Sequence, residues 1–135
     1  MTGTLPPLIA NLQRGWAGDC DLLVAQYVED CRFEDKAFGV VHEGHAGIRE
    51  VFDFSFSLMP DFRVEYRRWT LNDDAGAAEW VFTGSFHGEH DGTKHEGTPV
   101  RLEGLSFMTF RDGRIVTNTD YSNMAALSAQ LGPSR

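Results

Sequence analysis

Apolar side chains at positions 5, 8, 9, 12 and 16 open the chain with a helical period from Leu5 to Trp16. Pro6 and Pro7 stand at its start, where proline is tolerated. A second helix is expected from Asp21 to Glu29, N-capped by Asp19, with Leu22, Leu23, Ala25, Tyr27 and Val28 as its apolar set. Gly15-Trp16-Ala17-Gly18 forms the turn between the two. Cys31 to Asp35 and Val40 to His42 read as short strands. The Glu43-Gly44 turn then leads into a helix from Ala46 to Leu58, with Ile48, Val51, Phe52 and Ser55 at helical spacing and Pro60 ending it.

The period changes in the second half. Phe62 to Arg67 alternates as a strand, and the doubled Arg67-Arg68 before Trp69 and Leu71 marks a bulge. Asn72 to Gly76 is a turn. Ala78 to His87 and Pro99 to Phe110 are long strands, joined by a glycine-studded loop from Gly88 to Gly97 that reads as a solvated tip. Arg111-Asp112-Gly113 closes a hairpin onto a last strand, Arg114 to Tyr121. A short helix from Asn123 to Leu131 precedes a Gly132-Pro133-Ser134-Arg135 tail. Helices first and antiparallel strands afterwards define an α+β class: a curved, cone-shaped sheet packed against three helices of the N-terminal half. No linker or repeat interrupts residues 1–135, so one domain is expected, with a conical cavity between sheet and helices.

The strand faces carry the candidate chemistry. The bulkier face of the Ala78 strand holds Trp80, Phe82, Gly84 and Phe86. For the Pro99 strand, spacing leaves open whether Leu102, Gly104, Ser106, Met108 and Phe110 point inward or Glu103, Leu105, Phe107 and Thr109 do. The last strand sets Val116, Asn118 and Asp120 against Ile115, Thr117, Thr119 and Tyr121, and neither face is uniformly apolar. Facing inward, Asp120 would sit in a low dielectric with a raised pKa, an acid/base site; facing outward it is an ordinary solvated acid. Asp35, between Phe33 and Phe38, is the second such carboxylate, unless it only caps a turn. Gly84, Gly104 and Ser106 in mid-strand mark either room for a ligand or sheet curvature.

Composition narrows the partners. The 135 residues carry a net charge of −8, and the pI is near 4.9, which argues against nucleic acid and anionic membrane surfaces. Ten Phe and three Trp suit a large core or an aromatic-walled pocket. No apolar run of about 18 residues and no basic-then-apolar leader is present, so a soluble, cytoplasmic protein is expected. Cys20 and Cys31, placed along a helical stretch, would be too far apart to bridge. His87, His90 and His95 lie near Glu89, Asp91 and Glu96, but their spacing matches no zinc motif, and no metal or cofactor is expected. His42 and His45 flank a turn and read as structural. Nucleotide-binding glycine loops and a GxSxG elbow are absent.

Several stretches together resemble the SnoaL-like polyketide cyclase branch of the nuclear-transport-factor-2-like superfamily, which includes ketosteroid isomerase and limonene epoxide hydrolase. They are Ala17-Gly18-Asp19, Tyr27 through Asp35, His42 through Glu50, Met59-Pro60-Asp61-Phe62, Gly84 through Gly88, and Phe110 through Val116 with the strand to Asp120. The resemblance implies a cone-shaped α+β barrel with its pocket closed by helices. It places the cyclases' catalytic aspartate at Asp120 and the isomerase's base at Asp35, and it turns Ser106 and Asn118 into the pocket. The departures are as informative. The isomerase's oxyanion-hole tyrosine and acid fall on Asn11 and Ser106. The epoxide hydrolase's arginine and second aspartate fall on Trp80 and Phe82. The cyclases' long-strand histidine falls on Phe86, beside His87, and their His-Trp before the aspartate is Asn118-Thr119.

The expectation is therefore a cofactor-independent cyclase or isomerase acting on a hydrophobic, carbonyl-bearing small molecule. Asp120 and Asp35 would handle protons. Asn118, Ser106 and Asn11 would bind the charged oxygen. Trp16, Phe33, Trp80, Phe82, Phe86 and Met108 would shape the pocket. A non-catalytic ligand-binding module, or a dehydratase or epoxide-hydrolase variant, is the alternative. Val81, Leu105 and Phe107 on the convex face suggest a homodimer.

Overall fold

Alternating strands and two Asp-Gly turns build one curved sheet in the computed structural model, which describes residues 5–132; the expected Pro133-Ser134-Arg135 end of the tail lies outside them. The strands are β1 (Tyr27–Asp35), β2 (Val40–Glu43), β3 (Arg63–Leu71), β4 (Ala75–His90), β5 (Thr93–Arg111) and β6 (Arg114–Ser122). Their order across the sheet is β2-β1-β6-β5-β4-β3, antiparallel throughout except for the parallel β1–β6 pair. The sheet does not close, since β2 and β3 are its edges. Its helices are α1 (Pro7–Trp16), α2 (Cys20–Ala25), α3 (Gly44–Leu58) and α4 (Met124–Leu131). The architecture is the expected α+β one.

Each helix is set by local chemistry. In α1, Pro7 occupies the first turn, and Ile9, Leu12 and Trp16 form the buried stripe. The Asp19 side chain caps α2 by accepting from the Leu22 backbone N–H at 3.1 Å. The α1–α2 turn is tight, because a Cβ on Gly15 would lie 2.8 Å from that of Leu23. Helix α3 packs on β1, α4 on β5 and α1 on β3, so the helices cover the concave face.

Three expectations change. The second helix stops at Ala25 and not Glu29, because Tyr27 and Val28 join β1 and bury themselves beside β6, where Tyr27 opposes Ile115. Long-range pairing overrides a short helical pattern here. Cys20 and Cys31 are unbridged, one in α2 and the other in β1, so no helix spans them. Finally, the Gly88–Gly97 stretch is mostly ladder. It turns only at Asp91-Gly92, whose φ values of 51° and 80° match the left-handed pair a two-residue hairpin requires. The bulge at the doubled arginine is present, with register shifting between Tyr66 and Arg68.

Candidate active site

Sheet register brings the candidate residues into one row. Val40 opposes Asp35, Asp35 opposes Asp120, Asp120 opposes Ser106, and Ser106 opposes Ala78. Directly paired residues share a sheet face, so this row crosses five strands on the concave side. Above it lies a cavity of about 750 Å³ whose lining includes Asp120, Asp35, Ser106 and Asn118. Asp120 therefore faces inward. Neighbouring aromatic rings form a continuous wall: Trp80 stacks on Phe82 at 6.1 Å, Phe82 meets Phe62 at 5.2 Å, and Phe62 meets Trp16 at 5.6 Å.

One oxygen of Asp120 is heavily engaged. Oδ1 accepts from the Ser106 hydroxyl at 2.6 Å and from the Asn118 amide at 2.8 Å. The Ser106 oxygen in turn accepts from the Trp80 indole N–H at 2.8 Å. Oδ2 accepts no side-chain hydrogen bond among the described residues. Burial pushes the Asp120 pKa up; the two donors pull it back, and the nearby Asp35 charge pushes it up again, to about 6. A carboxylic acid with that value is largely a base at neutral pH and can return a proton without a large penalty.

Two tyrosines missing from the expected set stand beside it. Tyr27 and Tyr66 line the cavity, and both are buried. Neither hydroxyl has a hydrogen-bond partner among the described residues, and no buried side-chain polar atom is left unsatisfied there, so both hydroxyls open on the cavity. Burial raises both phenol pKa values, with the Asp120 charge contributing in each case. They stay protonated, so each hydroxyl keeps a proton that it can donate. The alternation of Phe62, Val64 and Tyr66 could have revealed Tyr66; Tyr27 was hidden by the helical reading of its neighbours.

Asp35 has a different environment. Its Oδ1 accepts from the backbone N–H groups of Ala37 at 2.9 Å and Phe38 at 3.0 Å, which makes it the cap of the β1–β2 turn as well as a lining residue. That turn carries Phe38 and Val40 to the cavity mouth, where Phe38 is 56% exposed and Phe54 of α3 is 65% exposed. His42 and Glu50 also line the cavity, 3.5 Å apart, so His42 is more than a turn residue.

The remaining expected residues divide. Trp16, Phe33, Trp80, Phe82 and Phe86 line the cavity. Asn11 and Met108 do not: the Asn11 amide reaches Gln26 at 3.4 Å, and Met108 is packed in the core, 1% exposed. Ser106 and Asn118 are in place, but the one hydroxyl proton of Ser106 and one amide N–H of Asn118 go to Asp120, leaving Asn118 a single further donor. The mid-strand glycines make room for the protein's own side chains, Gly84 for Met59 and Gly104 for the Trp80 ring. His95 is buried against Phe86, bonded to Thr98 and the Leu131 carbonyl, and so pins α4 to the hairpin. Among the described residues no group of three or more His, Cys, Asp or Glu side chains is placed to hold a metal ion, and no helix is long and apolar enough to cross a membrane.

An open, curved α+β sheet with helices on its concave face is a ketosteroid-isomerase-like fold. A Catenulispora acidiphila protein of that fold, solved with trimethylamine, superposes with a TM-score of 0.82 at 20% identity, covering 97% of this chain and 96% of that one. TerC, co-crystallised with polyporic acid, superposes at 0.76 and 17% identity over 93% of this chain and 96% of its own. Within that fold, the family model of the SnoaL-like polyketide cyclases matches residues 11–131, and the chain belongs to that family. The cyclase aurE of Calcarisporium arbuscula is 29% identical over 107 residues, 78% of this chain and 76% of that protein.

Proposed function

We propose that the protein is an enzyme that uses Asp120 as a general base and acid on a hydrophobic, carbonyl-bearing, polyketide-like small molecule. The observation that carries this reading is the Asp120 carboxylate, inside an apolar aromatic cavity, with one oxygen fixed by two donors and the other open to the cavity. Family membership and the cyclase relative support the same class of reaction.

In this reading Oδ2 removes a proton from a carbon next to a carbonyl. The C–H electron pair moves into the carbon–carbon bond, and negative charge develops on the carbonyl oxygen. The protonated tyrosine hydroxyls, in place of Asn118 and Ser106, are the donors for that charge. The carbanionic carbon then attacks a second carbonyl in the same molecule. A carbon–carbon bond forms, and the new alkoxide takes the proton back from Asp120. Every proton and electron pair is returned, so the step is an isomerisation closing a ring. Asp35, beside Asp120 in the row, biases its protonation through charge. Phe107 (46% exposed) and Tyr121 (50% exposed) on the outer sheet face, beside Leu105, support pairing with a second copy.

The test is hydrogen–deuterium exchange at the α-carbon of aromatic and polycyclic ketones, including diketones able to cyclise. The native protein is expected to accelerate exchange or closure, and Asp120→Asn to lose that acceleration. Exchange retained in Asp120→Asn overturns the reading, as does a panel that binds without any exchange.

A further inference from the structure

We infer that Trp80, seated in the space left by the missing side chain of Gly104, is a positioning residue that selects which oxygen of Asp120 exchanges protons. The catalytic consequence rests on the function proposed above; the hydrogen-bond relay stands without it.

Sheet geometry builds the relay. Trp80 and Gly104 are direct partners across β4 and β5, and two pairs further along Ala78 opposes Ser106 on the same face. Ala78 is small and fully buried, so nothing beside Ser106 blocks an approach from the neighbouring pair. The indole leans over Gly104 to make that approach. A Cβ at Gly104 would overlap the Cη2 atom of the ring and lie 2.5 Å from Cζ2 and 2.8 Å from Cζ3. A buried indole cannot yield to such a contact as the end of a flexible chain could.

Hydrogen-bond valence does the rest. Indole N–H can only donate, so at 2.8 Å the Ser106 oxygen must accept from it. Serine has one hydroxyl proton, and with the indole on its oxygen that proton points to the acceptor 2.6 Å away, Oδ1 of Asp120. Without the indole, the hydroxyl could rotate and accept a proton from Asp120 instead. Trp80 thus fills one of the two acceptor positions of Ser106 and biases it to donate, and Ser106 with Asn118 reserves Oδ1 for the ionised form. The exchanging proton is left to Oδ2, on the open side. Donation from the indole also polarises the hydroxyl and strengthens the second bond. Gly104, which touches none of the polar atoms, is needed because only its missing side chain lets the ring lie there.

The experiment reads the Asp120 titration directly, by carbon NMR of protein carrying labelled aspartate carboxyl groups. The Asp120 resonance is assigned with Asp120→Asn. Trp80 is replaced site-specifically by 3-benzothienylalanine, which keeps the bicyclic shape but puts sulfur in place of the N–H. The expected result is an Asp120 midpoint raised by about half a pH unit or more. In a Ser106→Ala background the same replacement should cause no further rise. An unmoved midpoint overturns the relay; so does an equal rise with and without Ser106, which would mean a direct effect of the ring. For the seat, Gly104→Ala is expected to lower the melting temperature, and adding Trp80→Phe, whose smaller ring leaves space for the methyl, to recover most of that loss. Absence of recovery overturns the role of Gly104. Because no substrate is involved, either failure leaves the proposed reaction to be judged on its own exchange assay.

Discussion

Asp35 and Asp120 are direct partners on adjacent parallel strands, share a sheet face and line the same cavity, yet they are held differently. The oxygen of Asp120 that is bonded is held by side chains, and its neighbours are buried rings. The bonded oxygen of Asp35 is held by two backbone N–H groups of the next turn, at the exposed mouth. Residue type and row are the same. What separates the two carboxylates is the source of their donors and the depth at which each sits.

The comparison breaks most sharply at Asp120. Asp120→Asn should cut proton transfer by about 10²–10⁴-fold, whereas Asp35→Asn should cut it far less, both measured by α-proton exchange. Equal losses would make the two carboxylates a joint acid/base pair. Tyr66→Phe, which removes a donor on the Asp120 side, should cost about a hundredfold in the same assay. Native activity should rise with pH through about 6 and level off above it, following ionisation of Asp120.

Stability should move the opposite way from activity. The Asp120 pKa is raised from 3.8 in the fold, so its stabilising contribution is complete below that value and is lost as pH climbs through about 6. Asp120→Asn does not titrate, and should gain on the native protein between pH 4 and pH 8 by at most about 3 kcal/mol, less to the extent that cavity water reaches the carboxylate. Thermal melts across that range measure it, and a constant difference would contradict the buried charge. The smallest effects belong to Asp35. Asp35→Asn keeps an acceptor for the Ala37 and Phe38 N–H groups and removes a charge, so stability should barely change while the Asp120 midpoint falls. Asp35→Ala should lose about 1 kcal/mol as well, the usual cost of losing such a cap. Denaturant unfolding distinguishes the two variants.

Much of the architecture was legible because strands announce themselves by alternation. Trp80, Phe82 and Phe86 on one face of β4, and Leu102, Ser106 and Met108 on one face of β5, are where the pattern and the family resemblance put them. What alternation cannot carry is register. Ser106 and Asn118 were expected to bind a substrate oxygen; that Ser106 binds Asp120 follows from its standing opposite it in the pairing of β5 with β6, whereas Asn118 reaches Asp120 along its own strand face. Tyr27 was lost for a related reason, since its strand character comes from Ile115 across the sheet and not from Leu22 or Leu23 beside it. Gly104 was legible as unusual but not as a seat, because the ring that fills it belongs to another strand. The loop reading of Gly88 to Gly97 failed because Gly88 and Gly97 masked the Asp91-Gly92 turn; its solvated character holds at Glu89, Asp91, Lys94 and Glu96, which are exposed, while His95 finds its partner on α4.

The parallel pairing of β1 with β6 has a consequence for synthesis. Asp35 leaves the ribosome well before its partner Asp120, which lies on β6, after all the chain from Lys36 to Thr119. Loop closure over so long a segment makes this junction slow to nucleate, and local hairpins such as β4–β5 can form before it. The cavity floor is therefore missing from any shorter nascent chain. The desolvation of Asp120 is deferred to the moment β6 docks between β1 and β5, and it is completed by α4, whose Leu127 and Leu131 reach the core only after β6 has been made.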